Sequence, residues 1–290
     1  MKNLDLADLV ARASKGKKEE LFRRLELGSG LPGPRANLNL ALEFAQTCAH
    51  AGASADALAY AMANEPPTEL RGEAAKEFLA MCGVLAVAAR AQLEPSLRDN
   101  ALEILEERAD DPRFRVRDAV PIALAMLGTK MHAELAERVS GWMDRYFHAA
   151  AVLRALSDRT WLDTFAQKEG ELPIRLLDEA FQLAANAPRS DARYPGHKAL
   201  VEVLASTPKA FAKRFGIPMF DRMAAWAPNV KMPELRDAIL ANCDDSSLKK
   251  PFANEIRRIK ELVEGSKAPP RDPTKLIAGM RSRGKKRDRR

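Results

Sequence analysis

Residues 99–128 read DNALEILEERADDPRFRVRDAVPIALAMLG. Two apolar stripes flank the turn Asp110-Asp111-Pro112. Before it, Leu102 and Leu105 stand three residues apart. After it, Val116, Ala119, Val120, Ala123, Leu124 and Leu127 recur at the spacing of one helix face. A turn this short folds the second helix back on the first, so the segment predicts an antiparallel helix pair. Gly128 is a natural stop for the second helix. Pro121 falls inside that helix and predicts a kink or an irregular first turn.

Outward from this unit, the rest of the chain repeats the theme. It contains 50 Ala and 35 Leu against 26 Val, Ile and Thr together, a balance of helix formers over strand formers that predicts an all-α protein. On the N-terminal side, stripes begin at Leu6, Leu9, Val10 and Ala13, and a helix is expected over 17–27. The break Gly28-Ser29-Gly30-Leu31-Pro32-Gly33-Pro34 follows. Asn37 is a good N-cap for a helix with Leu38, Leu42, Ala45 and Ala49 on its face. A further helix is expected from Ser54 to Pro66-Pro67, and a wide stripe runs from Phe78 to Ala89. On the C-terminal side, Leu135, Val139, Trp142, Met143, Tyr146 and Phe147 continue the pattern. Shorter helices are expected over 149–157, 160–168, 172–187, 197–206, 208–216, 219–227 and 233–243, and a last one over 248–263.

The unit 99–128 resembles a HEAT repeat. The residues that carry the likeness are Asp111, Val116, Arg117, Ala119, Ala123, Leu124, Leu127 and Gly128. Residues 236–262 and 152–165 offer only degenerate copies, and the position six beyond Asp245 is Pro251 rather than Arg. The resemblance implies an α-α superhelix of stacked antiparallel helix pairs. It also implies that Asp111 and Arg117 form part of a polar ladder along the stack.

Charge divides the chain. There are 47 Lys and Arg against 40 Asp and Glu, a net +7. Residues 265–290 hold ten of the basic and two of the acidic residues, so residues 1–264 carry −1 and the tail +8. We expect two regions: a HEAT-like helical domain over 1–264 and a disordered basic tail over 265–290. In the tail, Arg281, Arg283, Lys285, Lys286, Arg287, Arg289 and Arg290 are candidates for polyanion binding by counterion release. No aromatic residue accompanies them, so base stacking and sequence specificity are not expected.

Other motifs carry less chemistry. Gly28 to Gly33 matches GxGxxG, but no strand precedes it, and Pro32 and Pro34 lack the N–H groups that cradle phosphate. Cys48, Cys82 and Cys243 lie far apart in helical stretches, without a CxxC or a Cys/His cluster, so neither a disulfide framework nor a metal site is expected. Glu103, Glu106, Glu107, Asp110 and Asp111 read as a solvated helix face and turn. Trp142 and Trp161 each have an acid two residues on, Asp144 and Asp163. HEAT-like solenoids include the DNA alkylation repair glycosylases, which set aromatic and acidic residues against a modified nucleotide. That resemblance makes these four residues alternative DNA-site candidates.

The expectation is therefore a non-enzymatic scaffold binding a protein partner on a curved surface, the tail adding affinity for nucleic acid or another polyanion. A DNA repair enzyme is the alternative. No cofactor or metal is called for. No apolar run nears the roughly 20 residues that span a bilayer, no membrane partner is expected, and the cytoplasm is the expected location.

Overall fold

The computed structural model of the chain describes residues 5–67 and 74–266. Every regular element among them is a helix, so the protein is all-α. The α-helices are α1 (Leu6–Ala13), α2 (Glu19–Gly28), α3 (Leu38–Ala51), α4 (Asp56–Ala63), α5 (Ala74–Leu93), α6 (Arg98–Ala109), α7 (Phe114–Met131), α8 (Ala133–Arg138) and α9 (Tyr146–Leu156). They continue as α10 (Arg159–Leu162), α11 (Glu171–Ala185), α12 (Pro195–Leu204), α13 (Thr207–Phe215), α14 (Ile217–Trp226), α15 (Pro233–Asn242), α16 (Ser246–Lys249) and α17 (Ala253–Gly265). The expected boundary between 264 and 265 falls at the end of α17, and residues 267–290, with the basic segment 281–290, lie outside the described residues.

Helix α5 is the centre of the N-terminal half. Every residue from 78 to 91 is buried, because α3, α4 and α7 all pack on it. A helix apolar all round can only be stable in such a place. Small side chains let its neighbours come close. A Cβ at Gly83 would sit 2.1 Å from the amide nitrogen of Ala63, so α4 crosses directly over this glycine. Arg90 is the one charged residue in this stretch, and it pairs with Asp56 of α4, Nε to Oδ1 at 2.5 Å and Nη2 to Oδ2 at 3.3 Å. A buried guanidinium needs that partner to offset its desolvation.

Several boundaries differ from expectation for physical reasons. Asn37 does cap α3, accepting from the amide of Leu40 at 3.2 Å. The buried face, however, is Leu40, Ala41, Phe44, Ala45 and Cys48, while Leu38 is exposed. Burying Phe44 turns the helix away from the face counted through Leu38. Gly128 does not end α7, which runs on to Met131 and stops where His132 takes a positive φ. Nor does Pro121 interrupt it. The expected continuous stripe over 135–147 is broken into α8, a 3-10 turn over Ser140–Asp144, and α9. Residues 160–168 supply only the single-turn α10 and a 3-10 turn at Gln167–Glu169.

Two rows of contacts run along the chain. Helices α1, α3, α5, α7, α9, α12 and α15 touch in succession, and so do α8, α11, α14 and α17. Arginines bridge from layer to layer. Arg138 reaches Asp99, Arg145 reaches Glu106, Arg154 reaches Asp118 at 3.1 Å, Arg175 reaches Glu137 at 3.4 Å, Arg222 reaches Asp178 at 3.4 Å and Arg258 reaches Asp221 at 3.2 Å. In each pair the carboxylate precedes its arginine by 36 to 44 residues. Exposed pairs of this kind contribute about 0–1 kcal/mol apiece. Their regularity fixes register more than it adds stability.

Candidate functional site

Four cations meet in a groove between α10 and α13. Its construction starts with Asp158, whose carboxylate accepts from the amide of Thr160 at 2.8 Å and caps α10. Trp161 is completely buried, and its indole lies on Gly128 of α7, where a Cβ would fall 2.2 Å from the ring. Its Nε1 donates to the carbonyl of His132 at 3.1 Å. The short helix is thereby fastened to the core by Trp161 together with buried Leu162, leaving Arg159 and Asp163 outside.

The opposite wall is α13. Buried Asn242 sets its start, accepting from the amide of Lys209 at 2.9 Å and donating to the carbonyls of Leu204 at 2.9 Å and Ala238 at 2.7 Å. The hydroxyls of Ser157 and Thr207 are 2.9 Å apart and join the end of α9 to the start of α13. Across the groove Arg214 donates to the carbonyls of Phe165 and, at 3.3 Å, Asp163. Its Nε is buried without a partner.

The resulting cavity is about 460 Å³ in volume, and Arg159, Asp163, Lys209, Lys213 and Arg214 supply its charge. Arg159 is almost fully exposed and pairs with Asp163 at 3.7 Å, one turn along. Lys213 binds Asp245 at 2.8 Å. The Lys213 ammonium, with the hydroxyl and amide of Ser247, holds the Asp245 carboxyl far below the usual carboxylate range. Lys209 forms no ion pair with a carboxylate among the described residues. Four cations against one carboxylate give the lining a net positive charge, of the sign that forms charge-assisted hydrogen bonds with an oxyanion.

A second groove has the opposite sign. Glu103, Glu106 and Glu107 on one face of α6 and Asp110 at its C-terminal cap line a cavity of about 430 Å³ with Arg145 and His148. His148 is buried, its Nε2 lies 2.9 Å from the carbonyl of Glu106, and it packs edge-on against Trp142. A carbonyl can only accept, so this nitrogen carries the proton. Burial pushes the imidazole below its ordinary value, and the Arg145 guanidinium acts in the same direction.

Compared with known protein families, with curated proteins and with solved structures, the chain matches none.

The remaining candidates are placed as follows. Trp142 and Trp161 are both buried, while Asp144 and Asp163 are on the surface, paired with Arg145 and Arg159. Neither indole faces a cleft beside its acid. Asp111 is not on a solvated turn, since its carboxylate is wholly buried. It takes Arg113 Nε at 2.8 Å, Arg113 Nη2 at 2.7 Å, the Arg113 amide at 2.9 Å and Arg108 at 3.3 Å. Arg117 touches Asp111 through the main-chain carbonyl instead, and lies 4.4 Å from the Phe147 ring centre. The three cysteines are buried and free, and burial pushes the Cys48 thiol up to about 12 and the Cys243 thiol up to about 11. Such thiols stay protonated and are poor nucleophiles. Among the described residues no group of three or more His, Cys, Asp or Glu could hold a metal ion, and no helix is long and apolar enough to cross a membrane.

Arg159, Lys209, Lys213 and Arg214 were not singled out by sequence. Their signal is faint: Lys209 and Lys213 are one helical turn apart just after Pro208, within a domain whose charges cancel in total.

Proposed function

We propose that the chain is a non-enzymatic, HEAT-like adaptor that binds a protein partner along its stacked helices, with the basic segment 281–290 adding affinity for a polyanion. The observation that carries this reading is a set of seven arginine–carboxylate bridges, the six above and Arg115 to Glu77 at 4.0 Å, in each of which acid and arginine are 36 to 44 residues apart. That interval is just short of the period of HEAT repeats, roughly 40–47 residues, and one pair, Arg222 with Asp178, falls within it. Each layer in such an array buries its apolar face only against its neighbours, and the outer faces are left to recognise partners. The test is reconstitution. A partner found by cross-linking in cells should, when purified, form a saturable complex of fixed stoichiometry with this protein. Catalytic turnover by the protein, with no such complex, would overturn the reading.

One observation favours the repair-enzyme alternative: Asp163 lies in the basic groove. It predicts release of an alkylated base from duplex DNA, abolished by Asp163→Asn. Against it stand the two indoles, both in the core.

A further inference from the structure

We propose that the groove between α10 and α13 binds the phosphodiester backbone of a nucleic acid, without regard to sequence. The inference deepens the polyanion part of the reading above and rests on it, but moves the contact from the tail into the folded body. Net charge gave no hint of it, because the acidic face of α6 cancels the cations of α13 in the sum. In space the two are separate cavities with no lining residue in common.

The arrangement of the cations selects the ligand. Lys209 and Lys213 are one turn apart on α13, a spacing of about 6 Å between neighbouring positions on a helix face. Lys213 is already paired with Asp245 at 2.8 Å, so the charge left over for a ligand comes from Lys209 on α13 and the exposed Arg159 on α10, one from each wall, as suits a polymer lying along the groove. A phosphomonoester on a peptide is held best by the bidentate fork of a free arginine. Here the Arg214 fork is committed to the carbonyls of Asp163 and Phe165, while Arg159, almost fully exposed and 3.7 Å from Asp163, is not held as a fixed fork and acts as a point charge. Lysines act as point charges, which suits a diester backbone. The groove lining contains no aromatic side chain on which a base could stack, so the contact reads charge alone.

The experiment uses the full-length chain and fluorescent 30-nucleotide probes, one duplex and one single-stranded, titrated at several salt concentrations. Three proteins are compared: wild type, the groove variant Arg159→Gln/Lys209→Gln, and a variant with the seven tail cations replaced by Gln. Each phosphate contact contributes about 0.9 to the slope of log K against log salt on duplex, and about 0.7 on a single strand. The groove variant should lose about 1.8 of the duplex slope and roughly tenfold in affinity at moderate salt. The tail variant should keep a salt-dependent affinity that Lys209→Arg preserves and Lys209→Gln lowers. Unchanged thermal melts show that the variants are folded, and Lys209→Arg separates charge from shape. Groove substitutions that leave affinity and slope untouched overturn the inference, even if the tail variant loses binding, and in that case polyanion affinity survives through the tail alone. No binding by wild type sinks both. A phosphopeptide that binds wild type and not the groove variant, where the probes do not, also overturns the choice of nucleic acid.

Discussion

The protein contains two clusters of charge built from the same side chains and used in opposite ways. At the α6–α7 turn, one carboxylate is met by two arginines, and Asp111 and Arg113 are hidden from solvent. In the α10–α13 groove, four cations line a cavity with one carboxylate; Lys213 has a second partner in Asp245, Lys209 has none among the described residues, and Arg159 is almost fully exposed. The first cluster is closed, with the Asp111 carboxylate taking bonds from Arg113 and Arg108, and it holds the turn between two helices. The second is open, with charge left over. Closed charge networks serve structure and open ones are available for ligands, so the two should respond to substitution in opposite ways.

The largest effect is expected at Asp111. Asp111→Ala leaves the Arg113 guanidinium buried without a counter-charge, a loss of about 3–5 kcal/mol. Denaturant unfolding monitored by circular dichroism measures it. Replacing the pair together, as Asp111→Leu/Arg113→Met, should cost less than Asp111→Ala alone, because no charge is stranded. pH gives an independent check. Burial alone would push the Asp111 carboxyl up, but the hydrogen bonds and charge of Arg113, together with Arg108, hold it below the ordinary value of 3.8. The unfolded chain therefore takes up this proton first as pH falls. The stabilisation is complete above about pH 4 and is lost on acidification through the lowered value. Asp111→Asn should remove that part of the acid slope. A variant as stable as wild type would show the cluster to be no more closed than the groove.

The next effect tests the joint between groove and core. Ala at an ordinary helix position stabilises relative to Gly by roughly 0.5–1 kcal/mol. At Gly128 the sign should reverse, because the new methyl would overlap the Trp161 ring. Overpacking of this kind costs about 1–3 kcal/mol. In a Trp161→Ala background the ring is gone, and Gly128→Ala should recover the ordinary stabilising sign. Thermal melts of the four proteins in this cycle decide the matter. Additive effects would mean that α10 is not seated on α7 through this contact.

These two cases show what was legible in the sequence. The all-α character followed from Ala and Leu, and Asn37 declared itself as a cap because its local partner is three residues away. Gly128 was misjudged as a stop. Its purpose depends on Trp161, 33 residues on, and no local pattern records a ring lying on a missing Cβ. Asp111 reads as a surface acid in the sequence, since burial is set by neighbours distant in sequence. The basic groove was obscured by the near-zero total for residues 1–264, which says nothing about where charges gather. The arginine bridges did leave a trace, an interval of 36 to 44 residues between acid and arginine, but a trace of pairs is visible only once the layers are known.

A smaller effect, confined in pH, is expected at His148, on the boundary between closed and open. Its imidazole is buried and held below its ordinary value of 6.5 while the acidic groove beside it is solvated. Between the lowered value and 6.5 the unfolded chain binds the proton and the folded one does not. The contribution of His148 to stability is therefore complete above about pH 6.5 and shrinks as pH falls below it. Unfolding midpoints of wild type and His148→Gln, measured from pH 7.5 to 5, should converge on acidification. If they diverge instead, the imidazole is charged in the fold and belongs with the open cluster.

The smallest effect is the sharpest contrast with Asp111. Arg159→Gln and Lys209→Gln should change folding stability by no more than about 0.5 kcal/mol in either direction, as substitutions away from buried networks do. Arg159 forms only an exposed pair with Asp163, and the part of Lys209 that orders α13 is its main-chain amide, bonded to Asn242, which Gln retains. Crowding four cations around one groove could even make the first replacement slightly stabilising at low salt, through relief of repulsion, with the gain vanishing as salt screens it. Chemical unfolding at 20 and 500 mM salt reads both the size and the screening. A loss comparable to that of Asp111→Ala would mean that these cations are structural, and that the groove is a second closed network with its partners on walls not yet recognised.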